Sequence, residues 1–317
     1  MLITDKDLLS IQEARNLTMR AYEAQKIWGK ATQEEVDRVC AAMADAAFAA
    51  SERLGRMAAE ETGFGVAEHK KLKNQFAAKH VWESIKDIKT VGVIHHDAAR
   101  SIYEIAWPVG VVAGLVPSTN PTSTAINKIL ISVKARNGII LAPHPFAVKC
   151  TLEAVNIMAD AAERAGAPAG LIGAMSLISL QGTQELMGHK RIALILATGG
   201  GPMVRVAHSM GKPAYGVGPG NVPAYVDRSA DLEKAAKYIV SSKAFDFSTI
   251  CATEQAVVAD RPIAARLAQL MEAEGAYFVD EGQAEALRSI LFHPNGGINA
   301  DATAKSAQYL AAMAGFE

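Results

Sequence analysis

Only three residues in this 317-residue chain carry a thiol: Cys40, Cys150 and Cys251. A thiol becomes a nucleophile as a thiolate, which apolar burial suppresses. Cys40 lies in an Ala-rich helical stretch and reads as a small buried hydrophobe. Cys150 opens a predicted helix and reads either way. Cys251 lies in Phe247-Ser-Thr-Ile-Cys-Ala-Thr-Glu-Gln255, between a predicted helix and a predicted strand. A loop thiol has a modest advantage as nucleophile, although a small buried hydrophobe is the commoner state of a free cysteine. No CxxC, HxxxH or HExxH pattern occurs, and His95-His96 on a strand would point to opposite faces. No metal site is expected.

A second group of residues sits where apolar runs end. Asn120, in Ser118-Thr119-Asn120-Pro121, has an amide that can stabilise an oxyanion or cap the following helix; the residues alone favour the cap. His144, between Pro143 and Pro145, can meet a phosphate or ribose, or cap the next turn. Thr198-Gly199-Gly200-Gly201-Pro202 leads from a buried-type strand into a helix. Glycines there let a phosphate approach backbone N–H groups, although a tight turn without ligand explains them as well. The run is not GxGxxG. No acidic residue closely follows the strand 138–142, since Lys149 comes first and Glu153 a turn later. NADP therefore stays open beside NAD.

The elements that must position these groups alternate. The first ninety residues read as helices, with a capping box at Thr32 and Glu35. Thr90–Ile94 and Ser101–Trp107 read as a β-ribbon around a turn at His95-His96-Asp97, a candidate oligomer contact. Apolar runs then recur at Val109–Val116, Gly138–Ala142, Ile192–Ala197 and Ala214–Val217, with helices at Ser123–Ala135, Val148–Ala165 and Met203–Met210. This is an α/β pattern with a parallel sheet, which binds ligands at the carboxyl ends of its strands. A boundary is placed near Asp227, dividing 1–227 from 228–317. Beyond it follow a helix at Asp231–Ala244, a strand at Gln255–Ala259, a helix at Ile263–Gly275, a strand at Ala276–Val279 and a helix at Gln283–Leu291.

The bulk properties exclude several classes. A net charge of −1 argues against nucleic acid and anionic membranes. The longest apolar stretch, near Val109–Val116, falls well short of the roughly 20 residues that span a bilayer. The charged N-terminus lacks a signal-peptide core, and an odd number of cysteines suits a reducing cytoplasm.

Five runs taken together resemble the CoA-acylating branch of the aldehyde dehydrogenase superfamily. They are Val116-Pro-Ser-Thr-Asn-Pro-Thr-Ser-Thr-Ala-Ile126, Ala142-Pro-His-Pro145, Leu196-Ala-Thr-Gly-Gly200, Tyr215-Gly-Val-Gly-Pro-Gly-Asn221 and Ile250-Cys-Ala-Thr-Glu-Gln255. The chain is similar to the aldehyde dehydrogenase half of bifunctional alcohol/aldehyde dehydrogenases, and to acylating succinate-semialdehyde and sulfoacetaldehyde dehydrogenases. The resemblance implies a Rossmann-type cofactor domain plus part of an α/β catalytic domain. It implies Cys251 as nucleophile and Asn120, with the Cys251 backbone N–H, as oxyanion hole. Ser118, Thr119, Pro143, His144, Pro145, Thr198, Gly199, Gly200, Gly201 and Gly218 would lie in the NAD- or NADP-binding turns. Hydrolytic relatives carry a water-activating glutamate where this chain has Val217, and a valine takes no proton. The acyl group would then pass to coenzyme A, a thiol that needs less help from a base. The expected reaction is aldehyde, NAD(P)+ and CoA to acyl-CoA and NAD(P)H, in a homo-oligomer. The family continues beyond residue 317, so the chain is expected to be part of a longer protein. A hydrolytic dehydrogenase and a non-catalytic nucleotide-binding fragment are the rivals. Which aldehyde is used stays open.

Overall fold

The computed structural model describes residues 4–218 and 220–316. Helices α1 (Lys6–Trp28), α2 (Gln33–Ala49), α3 (Ser51–Thr62), α4 (Ala67–Gln75) and α5 (Val81–Ile85) come first. A ribbon follows, β1 (Gly92–Asp97) and β2 (Ile102–Ala106), and then β3 (Val111–Leu115), α6 (Pro121–Lys134), β4 (Gly138–Ala142), α7 (Val148–Arg164), β5 (Ile172–Ala174), α8 (Leu180–Gly188), β6 (Ile192–Thr198), α9 (Gly201–His208) and β7 (Ala214–Val217). The remainder is β8 (Pro223–Val226), α10 (Leu232–Ala244), β9 (Ala256–Ala259), α11 (Arg261–Ala273), α12 (Glu281–Leu291) and α13 (Ala307–Ala314). None of the described helices is long and apolar enough to cross a membrane.

The chain forms two compact units: Met1–Gly63 with Lys70–Pro219, and Phe64–His69 with Gly220–Glu317. The larger holds a five-stranded parallel sheet in the order β5-β4-β3-β6-β7. The strands β3 and β4 are buried on both faces, and their side chains alternate. Val111, Ala113 and Leu115 face Ala14, Leu17 and Leu186, while Val112, Ile139 and Leu141 join Ile126, Ile129 and Met158. Each valine, leucine, isoleucine or methionine among them contributes about 1.5–3 kcal/mol on leaving water, so helices are drawn to both faces. The chain order steps outward from β3 to β5, then returns to β6 beside β3. In open parallel sheets ligands bind outside the carboxyl ends of the strands where the order reverses, here β3 and β6.

The smaller unit contains a parallel pair, β8 and β9, joined by the crossover helix α10. Val226, Ala236, Ile239 and Leu267 form its core.

The structure matches the expected α/β class with a parallel sheet and differs in details. No strand forms at Ala276–Val279: Ala276 N–H closes a turn onto the Met271 carbonyl, and no described strand pairs with the segment. The ribbon turn falls at 98–101 rather than at His95–Asp97. Stacking of His96 on Tyr103, centroids 4.0 Å apart, extends β1, and the Asp97 carboxylate accepts from the Arg100 N–H at 3.1 Å to start the turn. β5, α8, β8 and α13 are not anticipated by the sequence reading, being short or weakly patterned.

Candidate active site

The turns leaving β3, β4 and β6 carry the polar groups of the larger unit. At β3, Ser118, Thr119 and Asn120 are half-buried and lead into α6 with Pro121 in its first turn. Asn120 occupies the N-cap position, yet its side chain makes no capping bond. Its Oδ1 accepts from Lys73 Nζ at 2.5 Å, and its Nδ2 donates to Thr119 Oγ1 at 3.2 Å. Lys70, 2% exposed, donates to the Thr119 carbonyl at 2.9 Å. Directly after Lys73, buried Asn74 accepts from Thr122 Oγ1 at 2.7 Å and donates to the Ser51 carbonyl at 3.1 Å. A third lysine, Lys128 on α6, donates to the Leu115 and Leu196 carbonyls, 2.6 Å each, where β3 and β6 end. Burial pushes its ammonium down to about 7.

At β4, Pro143 is buried, Pro145 is exposed and His144 lies between. His144 Nδ1 accepts from the Phe146 N–H at 3.2 Å, so one ring nitrogen caps the next turn. Burial lowers its pKa and favours the neutral ring.

At β6, Thr198 and Gly199 precede α9, which begins at Gly201 with Gly200 as an N-cap that offers no side chain. None of these three glycines has a positive φ. A Cβ at Gly199 would come no closer than 3.7 Å to another group, at Gly200 3.8 Å and at Gly201 3.5 Å. Neither backbone conformation nor packing within the chain thus demands glycine here. A phosphate approaching the first N–H groups of α9 would demand it, so the turn fits a dinucleotide. Gly216 on β7 is different, since its Cβ would meet Val204 Cγ1 at 2.4 Å. Gly218 follows β7 with open space around it, and Val217 is exposed.

The smaller unit presents Cys251. The turn before it is strained: Asp246, Phe247 and Ser248 all have left-handed φ, at 50°, 51° and 61°. Each such non-glycine residue costs about 1–2 kcal/mol, so the surroundings must hold it. Asp246 is fully buried. Its Oδ1 accepts from the Val66 N–H at 2.6 Å, and its Oδ2 accepts from the Thr249 hydroxyl. Its own N–H donates to His69 Nδ1 at 2.8 Å, and the His69 ring stacks on Phe245 at 4.4 Å. Gly65 packs against this carboxylate, where a Cβ would sit 2.1 Å from Oδ1. The Cys251 main chain abuts Gly220, whose Cβ would lie 2.1 Å from the Cys251 carbonyl oxygen.

The three thiols now separate. Cys40 and Cys150 are buried and Cys251 is exposed. Burial pushes both the Cys40 and the Cys150 thiol up to about 12. Cys150 lies at the N-terminus of α7, but Glu61 holds that end, accepting from the Lys149 N–H at 2.8 Å and the Cys150 N–H at 2.7 Å. Its negative charge adds to the upward shift.

Lys70, Lys73, Lys128 and Asp246 escape a reading of the sequence. Lys128 leaves a trace, a lone charge among Ala125, Ile126, Ile129 and Leu130, and so does Asp246, set between two phenylalanines.

The profile of the aldehyde dehydrogenase family matches residues 5–283. The bifunctional aldehyde-alcohol dehydrogenase of Escherichia coli is 41% identical over 307 residues, covering 97% of this chain. The chain spans about a third of that protein's length, 34%. The crystal structure of an acetylating aldehyde dehydrogenase from Geobacillus thermoglucosidasius is 53% identical, with a TM-score of 0.96 over 99% of this chain and 70% of its own. A Rhodopseudomonas palustris propionaldehyde dehydrogenase, solved with CoA and an acylated cysteine, is 28% identical with a TM-score of 0.83, covering 96% of this chain and 69% of its own. A profile match over most of its length and a 53%-identical acetylating enzyme of the same fold show that the chain belongs to the aldehyde dehydrogenase family, in its acylating branch.

Proposed function

We propose that this chain serves a CoA-acylating aldehyde dehydrogenase, converting an aldehyde, NAD(P)+ and CoA into acyl-CoA and NAD(P)H. The observation that carries the reading is the segregation of the thiols: Cys251 alone is exposed, on a clamped turn, while burial keeps Cys40 and Cys150 protonated. The Cys251 thiolate attacks the aldehyde carbon. Asn120 Nδ2 and the Cys251 N–H are the donors for the oxyanion. NAD(P)+, when bound, supplies the acceptor for the hydride that leaves this carbon. The thioester then stays on Cys251. Val217 offers no base for water, so the acyl group moves to the CoA thiol, and Cys251 is released as thiolate.

The larger unit is the reading's cofactor domain. Ser118, Thr119, Pro143, His144, Pro145, Thr198 and Gly199–Gly201 hold the nucleotide, and Gly218 lies on its border. The smaller unit carries the nucleophile. The ribbon exposes Val93, Ile94, Ile102 and Ile105, which supports its use as a contact between copies in a homo-oligomer. A cytoplasmic setting follows from the chemistry, because Cys251 must stay a free thiol. The reading is tested by following NAD(P)H formation over a panel of small aldehydes, with and without CoA. Turnover that requires CoA supports it; equal turnover without CoA, yielding free acid, refutes it.

A further inference from the structure

We propose that Lys73 is a positioning residue that fixes the Asn120 amide with Nδ2 as its outward donor; this rests on the reading of Asn120 as the oxyanion donor. The two ends of an amide are nearly equal in size, and only one of them can donate. An oxyanion hole needs the nitrogen end. Lys73 decides which end that is, because an ammonium has three donors and no acceptor. Its Nζ lies 2.5 Å from Asn120 Oδ1. A flipped amide would set NH2 against NH3+ and lose a charge-assisted bond.

The N-cap supports this. Asn is among the best N-cap residues, and a cap uses Oδ1 as acceptor. At α6 that bond is not made. Lys73 occupies Oδ1 and so diverts the amide from the capping role that its position invites. The nitrogen end is steered as well, through its bond to Thr119 Oγ1. The support around Lys73 is rigid. Lys70, one turn earlier on α4, clamps the Thr119 carbonyl, and buried Asn74 ties α4 to the first turn of α6. A positive charge on Oδ1 also polarises the amide and makes Nδ2–H the stronger donor.

The test compares two reactions of Cys251 in the full chain. Acylation by p-nitrophenyl acetate passes through an oxyanion: the thiolate attacks the carbonyl carbon, p-nitrophenolate leaves, and a thioester remains. Alkylation by iodoacetamide displaces iodide and forms no oxyanion. Lys73→Met is expected to slow the single-turnover release of p-nitrophenolate roughly 10–100-fold, with the half-saturating ester concentration and the alkylation rate within about twofold of wild type. Asn120→Ala is expected to lose about 10²–10³-fold, and the double variant to be no slower than Asn120→Ala alone. Lys73→Arg, which keeps a charged donor, restores most of the rate. Should Lys73→Met fail to fold, Lys73→Gln is read in its place. Wild-type acylation in Lys73→Met, losses that multiply in the double variant, or alkylation that falls in step with acylation would each overturn the role of Lys73. Wild-type acylation in Asn120→Ala would instead overturn the reading of Asn120, and the role of Lys73 with it.

Discussion

The turns of the larger unit and the Cys251 turn of the smaller unit solve one problem in different ways. Both must present a few polar groups in fixed positions. The larger unit sets its turns at the ends of regular parallel strands, with the backbone relaxed at Gly199, Gly200 and Gly201. Fine positioning there comes from lysines that reach in from α4 and α6 onto carbonyls and the Asn120 amide. The smaller unit has a two-stranded sheet among its described residues, and it holds the approach to Cys251 through three left-handed residues tied to a buried carboxylate. A regular sheet lets a turn be adjusted by side chains, whereas a small sheet must spend backbone strain and one anchor residue. Damage should therefore be concentrated at Asp246 and spread thinly over the β3 and β6 turns.

The largest effect is expected at Asp246. Asp246→Ala removes the acceptor of the Val66 N–H and of the Thr249 hydroxyl bond and releases the strained turn. Urea unfolding should show a loss of about 2–4 kcal/mol. A loss under about 1 kcal/mol would mean that the turn does not depend on this anchor. Next comes a contrast between glycines. Gly216→Ala drives Cβ into Val204 and should cost about 1–3 kcal/mol in the same measurement. Gly199→Ala meets nothing inside the chain; it should leave stability unchanged or raise it by a few tenths of a kcal/mol, yet weaken NAD(P) binding about tenfold or more by calorimetry. Equal affinity in Gly199→Ala would remove the phosphate from that turn.

The last effect concerns pH. Burial lowers the Lys128 pKa to about 7 in the folded chain, from the ordinary 10.5. Between these values the unfolded chain binds the extra proton, so stability rises with pH. The penalty for burying the charge is complete below about pH 7 and is relieved as pH climbs toward 10.5. Thermal melts of wild type against Lys128→Met should therefore favour wild type increasingly from pH 7 to pH 10. A pH-independent difference would show that the two carbonyls keep Lys128 charged throughout.

Much of the architecture is legible in the sequence because hydrophobic periodicity reports burial directly. The unbroken apolar runs Val111 to Leu115 and Gly138 to Ala142, alternating with helical runs, announce a parallel sheet. Ala276–Val279 misleads, since an apolar run looks like a strand whether or not a partner strand exists. At the site, residue types locate Cys251 and Asn120 but leave their states open. The choice between cap and donor at Asn120 depends on Lys73, 47 residues away, and the quiet state of Cys150, set first by burial, is reinforced by Glu61, 89 residues away. Local reading does not reach such partners. Asp246 is hidden for the same reason, being engaged by Val66, 180 residues earlier.

The central claim is that Cys251 carries a thioester destined for CoA. Mass spectrometry of the chain after aldehyde and NAD(P)+, first alone and then with CoA, tests it most directly. The account predicts an acyl adduct on the Cys251 peptide that persists in buffer, disappears on adding CoA with matching acyl-CoA, and never forms in Cys251→Ala. The same adduct in Cys251→Ala, or decay to free acid at one rate with and without CoA, would contradict it.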